Sequence, residues 1–280
     1  MKKKFDASII MVDGSFRENF HSVDFFSHQT LAPEDYELIW VEYYKQVHPE
    51  LENKISRYPN ARIVKLGKEG EYHSSYCFNA GIKESRGEIL FVPDADVVVE
   101  GNFLEKALKE HETNSRLALY FYRKDESQTY HTDDIDLNHL KQVCALKSSN
   151  NFGGCLSVKK KWLLEINGYD QHPVFGSGFH ANGLDVYTRL KNLGLHIMWH
   201  PDLFLYHPWH PLSRVTASNY KLQHLIIQHH ALNLETSAFQ GIDSSKNLKI
   251  SDELIKKLQR KQRVNLIGVF KEKLMQLSGK

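Results

Sequence analysis

The first hundred residues alternate short apolar runs with stretches that mix polar and apolar residues. Four apolar runs predict strands, at residues 7–12, 37–41, 61–66 and 89–92. Three mixed stretches predict the intervening helices, at residues 19–27, 49–56 and 74–84. Strands that alternate with helices in this way are typical of a mostly parallel sheet with helices on its faces. The predicted fold class is therefore α/β.

Acidic residues follow several of the predicted strands directly. Ligands of open parallel sheets bind outside the carboxyl ends of the strands, and Asp13, Glu42 and the pair Asp94 and Asp96 all fall there. Residues i and i+2 of an extended chain face the same side, so Asp94 and Asp96 can share one cation. Such hard oxygen ligands suit Mg²⁺ or Mn²⁺, and a bound diphosphate completes the coordination. A turn after a strand explains the pair by itself, but carboxylates from three segments at one edge favour a binding site.

Composition limits the alternatives. The 280 residues, 41% of them hydrophobic, are enough for one large domain with an extension or for two modest domains. A net charge of +2 gives no indication of a nucleic-acid partner. The three cysteines are odd in number and widely spaced, which fits a reducing compartment. No stretch approaches the roughly 20 apolar residues of a membrane span, so the sequence predicts a cytoplasmic protein.

Several of these segments together resemble the glycosyltransferases of the GT-A fold, most closely family 2, over roughly residues 6–210. The resemblance is carried by Asp13-Gly14-Ser15, Glu42, Asn79-Ala80-Gly81-Ile82, Arg86-Gly87-Glu88-Ile89 and Asp94-Ala95-Asp96. In that family the end of strand two contacts the nucleobase, the Asn-x-Gly helix packs under the sugar nucleotide, and Asp-x-Asp holds the metal on the diphosphate. The resemblance thus implies nucleotide-sugar binding by Asp13, Glu42, Asn79, Arg86, Asp94 and Ala95. Glu42 stands where the family usually has an aspartate.

The second half of the chain extends the resemblance. Gly153-Gly154 and, fourteen residues on, Gly168-Tyr169-Asp170 resemble the acceptor side of GT-A enzymes, where a glycine pair lets the backbone approach the donor sugar; a strand bulge is the alternative. The segment His207-Pro208-Trp209-His210 resembles the His-x-x-His segment that closes many GT-A sites, as in the galactosyltransferase and polypeptide GalNAc-transferase type. It implies that His207 is the third metal ligand beside Asp94 and Asp96, and that His210 lies near the diphosphate.

The catalytic base is the weakest part of the match. The family usually has a Glu-Asp pair before a helix, and in the simplest register those positions hold Asn182 and Gly183. An inverting transfer needs a base for the acceptor hydroxyl, and Asp185 and His180 are the candidates. Asp185 could instead cap the following helix, and His180 could be a solvated loop residue. A retaining mechanism, which needs no such base, stays open.

The resemblance implies a GT-A domain at residues 1–215, divided near residue 100 into a nucleotide-sugar half and an acceptor half. Helices at 220–234 and 251–277 predict a helical extension over 216–280, and residues 213–219, with Arg214, predict a loop that closes over the donor. The basic and apolar segment 255–277 either packs on its own domain or lies on the inner face of a membrane.

The implied function is transfer of a sugar from a nucleoside diphosphate sugar, preferably a UDP-sugar, to a glycan or other hydroxyl acceptor. It needs Mn²⁺ or Mg²⁺ and serves cell-surface glycan assembly. One alternative is a catalytically inactive sugar-nucleotide or glycan-binding module. Another is a nucleotidyltransferase that makes nucleoside diphosphate sugars, although the loop at 13–17 lacks the glycine-rich pattern that such an enzyme normally carries.

Overall fold

The structure is a computed structural model that describes residues 4–15, 17, 19–127, 134–147, 150–176, 181–210, 220–249, 255–257 and 260. Its centre is an eight-stranded sheet in the order β3-β2-β1-β4-β7-β5-β6, with β8 paired to β5. The strands are β1 (Phe5–Asp13), β2 (Tyr36–Glu42), β3 (Ala61–Lys65), β4 (Gly87–Pro93), β5 (Leu117–Asp125), β6 (Ala145–Leu146), β7 (Cys155–Lys159) and β8 (His196–His207).

Helices connect most of the strands. They are α1 (His21–Ser27), α2 (Pro49–Ile55), α3 (Ser74–Glu84), α4 (Phe103–Thr113), α5 (Leu137–Val143), α6 (Lys160–Glu165), α7 (Asn182–Asn192) and α8 (Tyr220–Asn233), with short 3₁₀ turns at Pro173–Phe175 and Ser244–Lys246. The four strands and three helices predicted for the first hundred residues correspond to β1–β4 and α1–α3. The α/β fold class with a mostly parallel sheet is confirmed.

Strand direction brings the carboxyl ends of six strands to one edge of the sheet. Strands β1 to β4 pair in parallel, and β7 is antiparallel to both β4 and β5. Consequently β5 runs in the same direction as β4, and β8 is parallel to β5. The carboxyl ends of β1 to β5 and of β8 therefore lie along the same edge.

The sheet is buried on both faces, which explains its unbroken apolar runs. In β2 every position is buried. Leu38 and Trp40 pack into the cluster that includes Phe91 and Phe103, whereas Ile39 and Val41 point to the opposite cluster. This alternation follows from the two-residue period of a strand.

Helix α8 and the segment after it pack on the part of the chain between β7 and β8. Leu222 and Ile226 of α8 share an apolar cluster with Phe175, and Phe239 beyond α8 joins it. The predicted helix at 220–234 corresponds to α8. Of the predicted helix at 251–277, the structure describes residues 255–257 and 260, which are helical. The predicted closing loop at 213–219, with Arg214, lies outside the described residues.

Two further properties concern the whole described chain. All three cysteines are buried and free of disulfide bonds. Within the described ranges, no helix combines the length and apolar character needed to cross a bilayer.

Candidate active site

Acidic and histidine side chains from separate strands meet at the shared carboxyl edge. Asp13 ends β1 and lies opposite Glu42, the last residue of β2. Asp94 and Asp96 follow β4 directly, and Asp125 at the end of β5 lies opposite His207 at the end of β8. Parallel strands place residues far apart in sequence at the same edge. Asp125 is an addition that the sequence did not indicate.

Three side chains form a cluster of metal-ligand type: Asp96, His207 and His210, whose candidate ligand atoms all lie within 4.8 Å of one another. The Nε2 atoms of the two histidines are 3.1 Å apart. Asp96 Oδ2 lies 3.5 Å from His210 Nε2 and 3.8 Å from His207 Nε2.

These groups fit a divalent cation. Two nitrogen ligands at adjacent corners of an octahedral ion, each about 2.1 Å from it, lie roughly 3 Å apart. Asp96 Oδ1 is buried and has no hydrogen-bond partner within the part of the chain that the structure describes. A buried carboxylate oxygen without a donor is costly unless a cation meets it.

His207 is held by a neighbouring acid. Its Nδ1 lies 2.9 Å from Asp125 Oδ1, which leaves Nε2 facing the cluster. Burial lowers the pKa of His207, but the hydrogen bonds with Asp125 and Asp96 outweigh it and raise the pKa to about 9. The pocket around His207 is therefore strongly negative. An outer carboxylate that orients a histidine ligand is a common feature of metal sites.

Asp94 lies beside this cluster, and its carboxylate contacts an arginine. Asp94 Oδ2 accepts a hydrogen bond from Arg123 at 3.2 Å, and the Asp94 backbone N–H donates to Gly154 at 2.8 Å. Burial and the charge of Asp96 raise the pKa of Asp94 to about 6, although Arg123 opposes the shift. A side chain at Gly153 would have only oxygens of Asn151 and Asp94 within 4 Å, so there is open space next to Asp94.

Arginines that the sequence did not single out neutralise the aspartates. Arg17 donates to Asp96, and its Nε lies 3.8 Å from Asp13 Oδ1. Arg123 also pairs with Asp125 at 2.9 Å. The spacing of Arg123 and Asp125 on β5 could have indicated that Arg123 belongs to the site, because residues two apart on a strand share a face. Burial raises the pKa of Asp96, but Arg17, His207 and His210 hold it well below its usual range.

The ends of β1 and β2 form a second part of the site. Glu42 is 1% exposed and accepts hydrogen bonds from the Ser15 hydroxyl at 3.1 Å and the Tyr44 backbone N–H at 3.3 Å. Burial raises the pKa of Glu42 to about 6; the Tyr44 N–H opposes this shift, and the charge of Asp13 adds to it. Gly14 is required next to this acid, since a Cβ there would lie 2.4 Å from the ring of Tyr72.

Asn79 and Ala95, which the resemblance assigns to nucleotide-sugar binding, make hydrogen bonds within the protein. The Asn79 side chain makes two hydrogen bonds of 2.8 Å with the backbone of Tyr169, which joins α3 to the Gly-Tyr-Asp turn. The backbone carbonyl of Ala95 accepts from the Ser22 hydroxyl at 2.7 Å, while its side chain is buried in the core. Asn79 thus holds α3 against the Gly-Tyr-Asp turn. The hydrogen bond to Ala95 fixes the backbone between Asp94 and Asp96.

Arg86 does not join the site, which corrects the expectation from the resemblance. It precedes the first residue of β4, whereas Asp94 follows the last, and eight residues of strand span roughly 25 Å. Arg86 pairs with Glu37, whose Oε2 lies 3.0 Å from its Nη2. Glu37 is 1% exposed, so Arg86 supplies the counter-charge that this buried acid needs.

Of the two candidate catalytic bases, Asp185 and His180, the structure describes Asp185. Asp185 is 1% exposed and pairs with Arg189 at 2.6 Å, while its other oxygen lies 3.1 Å from His230 Nδ1. Arg189 lowers the pKa of Asp185 to about 2 against the effect of burial. In this arrangement Asp185 links α7 to α8. His180 lies outside the described residues. The Asn182 amide donates to the Ser74 hydroxyl at 2.9 Å.

Comparison with known proteins agrees with this architecture. The model of the family "Glycosyl transferase family 2" matches residues 34–166. S. aureus TarS is structurally similar, with a TM-score of 0.62 at 12% identity over 82% of this chain and 40% of the TarS chain. Its 1–349 portion in complex with UDP-GlcNAc gives a TM-score of 0.61 at 12% identity, over 82% of this chain and 67% of that one.

GalNAc-T7 with UDP, GalNAc and Mn²⁺ is also similar, with a TM-score of 0.55 at 13% identity over 79% of this chain and 48% of GalNAc-T7. This chain thus spans less than half the length of the TarS chain first compared and of GalNAc-T7. No curated protein matches it in sequence. Together, the family model over residues 34–166 and the structural likeness to TarS and GalNAc-T7 support a GT-A fold that is similar to that of family 2 glycosyltransferases.

Proposed function

We propose that this protein transfers a hexosyl or N-acetylhexosaminyl group from a UDP-sugar to a hydroxyl of a glycan, with Mn²⁺ or Mg²⁺ held at the sheet edge. The main support is the convergence of the Asp13–Glu42 acids with the cluster of Asp96, His207 and His210 at that edge. TarS has been solved with UDP-GlcNAc, and GalNAc-T7 with UDP, GalNAc and Mn²⁺.

The nucleoside end of the donor belongs at Glu42. Its carboxylate can accept the N–H of a uracil ring, and Ser15 and Tyr44 fix the orientation of the acid. Around it, Tyr43 packs edge-on against Tyr44 and Tyr72, so aromatic rings surround the position of a base. This arrangement favours a nucleotide over a free sugar.

The diphosphate belongs at the three-residue cluster. Asp96, His207 and His210 would hold a divalent cation there, which would supply positive charge to the leaving diphosphate. Asp125 keeps His207 oriented through its contact with Nδ1. Asp94 is a further candidate ligand. The donor sugar would lie at Gly153 beside Asp94, where an added Cβ meets only Asn151 Oδ1 at 3.6 Å and Asp94 Oδ1 at 4.0 Å among the described residues.

Asp185 and His180 are the two candidates for the catalytic base. Asp185 can accept a proton from an acceptor only if its buried pair with Arg189 opens. The anomeric configuration of the product decides whether a base is needed, because retention requires none. We infer from the family resemblance that the acceptor is a cell-surface glycan, reached from the cytoplasmic side, with peripheral membrane contact.

The test is hydrolysis of a panel of UDP- and GDP-sugars, followed as release of free nucleoside diphosphate, after metal removal and after Mn²⁺ addition. Asp96→Ala is the site variant. Asp6→Ala is its matched control, since Asp6 is an exposed acid at the other end of β1. We expect one UDP-sugar to be hydrolysed only with Mn²⁺, with a loss of about a hundredfold or more in Asp96→Ala and none in Asp6→Ala.

Binding separates the remaining outcomes. If no donor is hydrolysed but UDP still binds with Mn²⁺ and not without it, the chain is a nucleotide-sugar-binding module. If neither UDP nor a UDP-sugar binds, the site at the sheet edge is refuted. Equal losses in Asp96→Ala and Asp6→Ala would point to impaired folding and contradict a specific role for Asp96.

A further inference from the structure

Arg17 lies between the two halves of the candidate site. It is in the connection between β1 and α1, and its guanidinium pairs with Asp96 while lying 3.8 Å from Asp13. The side chain is 17% exposed, so the guanidinium is largely shielded from water. A partly buried guanidinium between two carboxylates is held by charge more firmly than a surface ion pair.

The oxygen that Arg17 uses is the same one that faces the histidines. Arg17 donates to Asp96 Oδ2, and this atom lies 3.5 Å from His210 Nε2 and 3.8 Å from His207 Nε2. A metal ion among these three groups would come to lie next to the guanidinium. Two cations on one carboxylate repel each other, and a carboxylate oxygen bound to a metal is a poorer acceptor for a charged donor.

Arg123 does not share this position. It pairs with Asp94 and Asp125 and therefore has two acids of its own, neither of them in the three-residue cluster. It also lies within β5, where the ladder of backbone hydrogen bonds fixes it. Arg17 precedes α1 in a connecting segment. Of these two arginines, Arg17 is the one whose partner must change when the cluster is filled.

We propose that Arg17 is an internal counter-cation that occupies Asp96 in the empty site and moves to the diphosphate when the metal and the nucleotide sugar bind. This inference rests on the proposed function. In the absence of nucleotide, Arg17 competes with the metal for Asp96. When the nucleotide sugar is bound, Arg17 binds its diphosphate. A guanidinium suits the second task because its planar fork of N–H groups matches phosphate oxygens.

The test measures Mn²⁺ binding by electron paramagnetic resonance and calorimetry, without and with UDP, in the wild type and in Arg17→Met. We expect Arg17→Met to bind Mn²⁺ alone about tenfold more tightly and UDP in saturating Mn²⁺ about tenfold more weakly. Lys54→Met is the matched control, because Lys54 is also 17% exposed and pairs with Asp24, which is not one of the three cluster residues. It should change neither affinity.

The outcomes separate the inference from the proposed function. Unchanged or weaker Mn²⁺ binding by Arg17→Met in the absence of UDP overturns the inference, as does an equal change in Lys54→Met. If neither the wild type nor Arg17→Met binds Mn²⁺, with or without UDP, the metal site itself is refuted, and the proposed function fails together with the inference. Thermal unfolding of each variant shows whether a lower affinity reflects lost structure, and Arg17→Lys, which keeps the charge, should recover part of the UDP affinity.

Discussion

At the scale of single residues, the site is built from acids whose charges are only partly neutralised. Glu42 shows this best, because it is buried at the end of β2 beside Asp13 and receives two hydrogen bonds. Its pKa of about 6 means that the folded state holds the proton more tightly than the unfolded chain does. Glu42 therefore costs stability at neutral pH, where it is ionised.

We predict that Glu42→Gln is more stable than the wild type at pH 7.5 and loses this advantage in acid. The raised pKa favours the fold below about pH 4.5, and that contribution disappears as the pH rises through about 6. Glutamine removes the cost of ionisation. The free energy of unfolding of Glu42→Gln relative to the wild type should therefore rise by up to about 2 kcal/mol between pH 4 and pH 7.5. Urea unfolding at both pH values measures the difference. Parallel pH profiles of the two proteins would contradict the prediction, and Glu34→Gln, at an exposed acid, is the control.

At the scale of elements, α7 is joined to its surroundings by buried charges. Arg189 is fully buried and donates to Asp185, one turn earlier on α7, and to the carbonyls of Ile166 and Gly168. His230 of α8 contacts the other oxygen of Asp185. Among the described residues, Asp185 is the acid that pairs with Arg189, and its second contact, with His230, joins α7 to α8.

We predict that Asp185→Asn destabilises the fold by about 3–5 kcal/mol at pH 7, because Arg189 is left buried without a counter-charge. The carboxylate with its lowered pKa stabilises the fold above about pH 3.8, and this contribution is lost as the pH falls through about 2. Urea unfolding and sugar transfer should be measured on the same samples. Normal stability with abolished transfer would instead assign Asp185 as the base. Asp202→Asn, at an exposed acid on β8, is the control.

At the scale of the whole molecule, the segment after α8 is anchored to the Gly-Tyr-Asp turn. Asp170 is 2% exposed and accepts hydrogen bonds from the backbone N–H groups of Phe239 at 2.9 Å and Gln240 at 3.1 Å. Asn167 contacts the backbone and side chain of the same segment, at Asp243 and Asn247. The segment after α8 is thus packed against the chain between β7 and β8 through specific polar contacts.

We predict that truncation after Leu234 destabilises the protein by roughly 3–5 kcal/mol, since it exposes the surroundings of Phe239 and leaves Asp170 without two donors. Truncation after Lys249 keeps these contacts and should cost less. Urea unfolding of both truncated proteins and the full chain measures the difference. Equal stability of the two truncated proteins would show that the anchor contributes little.

The sequence predicted the first four strands and three helices well because β1, β2 and β4 are buried almost throughout and read as apolar runs. The family resemblance and fold class were confirmed for the same reason, since both depend on local motifs. The resemblance was less informative for Arg86 and Asn79. Arg86 lies at the opposite end of β4 from the site, and Asn79 bonds to the Tyr169 backbone.

By itself, the sequence determined the order of the first four strands and three helices, the acids at the ends of β1, β2 and β4, and the pair His207 and His210, because each follows from a local pattern. Only the tertiary structure decided which charges meet. The antiparallel insertion of β7 makes β5 and β8 parallel to β4, and this brings Asp125 to His207 and Arg123 to Asp94. Arg17 reaches Asp96 across 79 positions of sequence. Such partnerships depend on which strands become neighbours, and no local pattern encodes that.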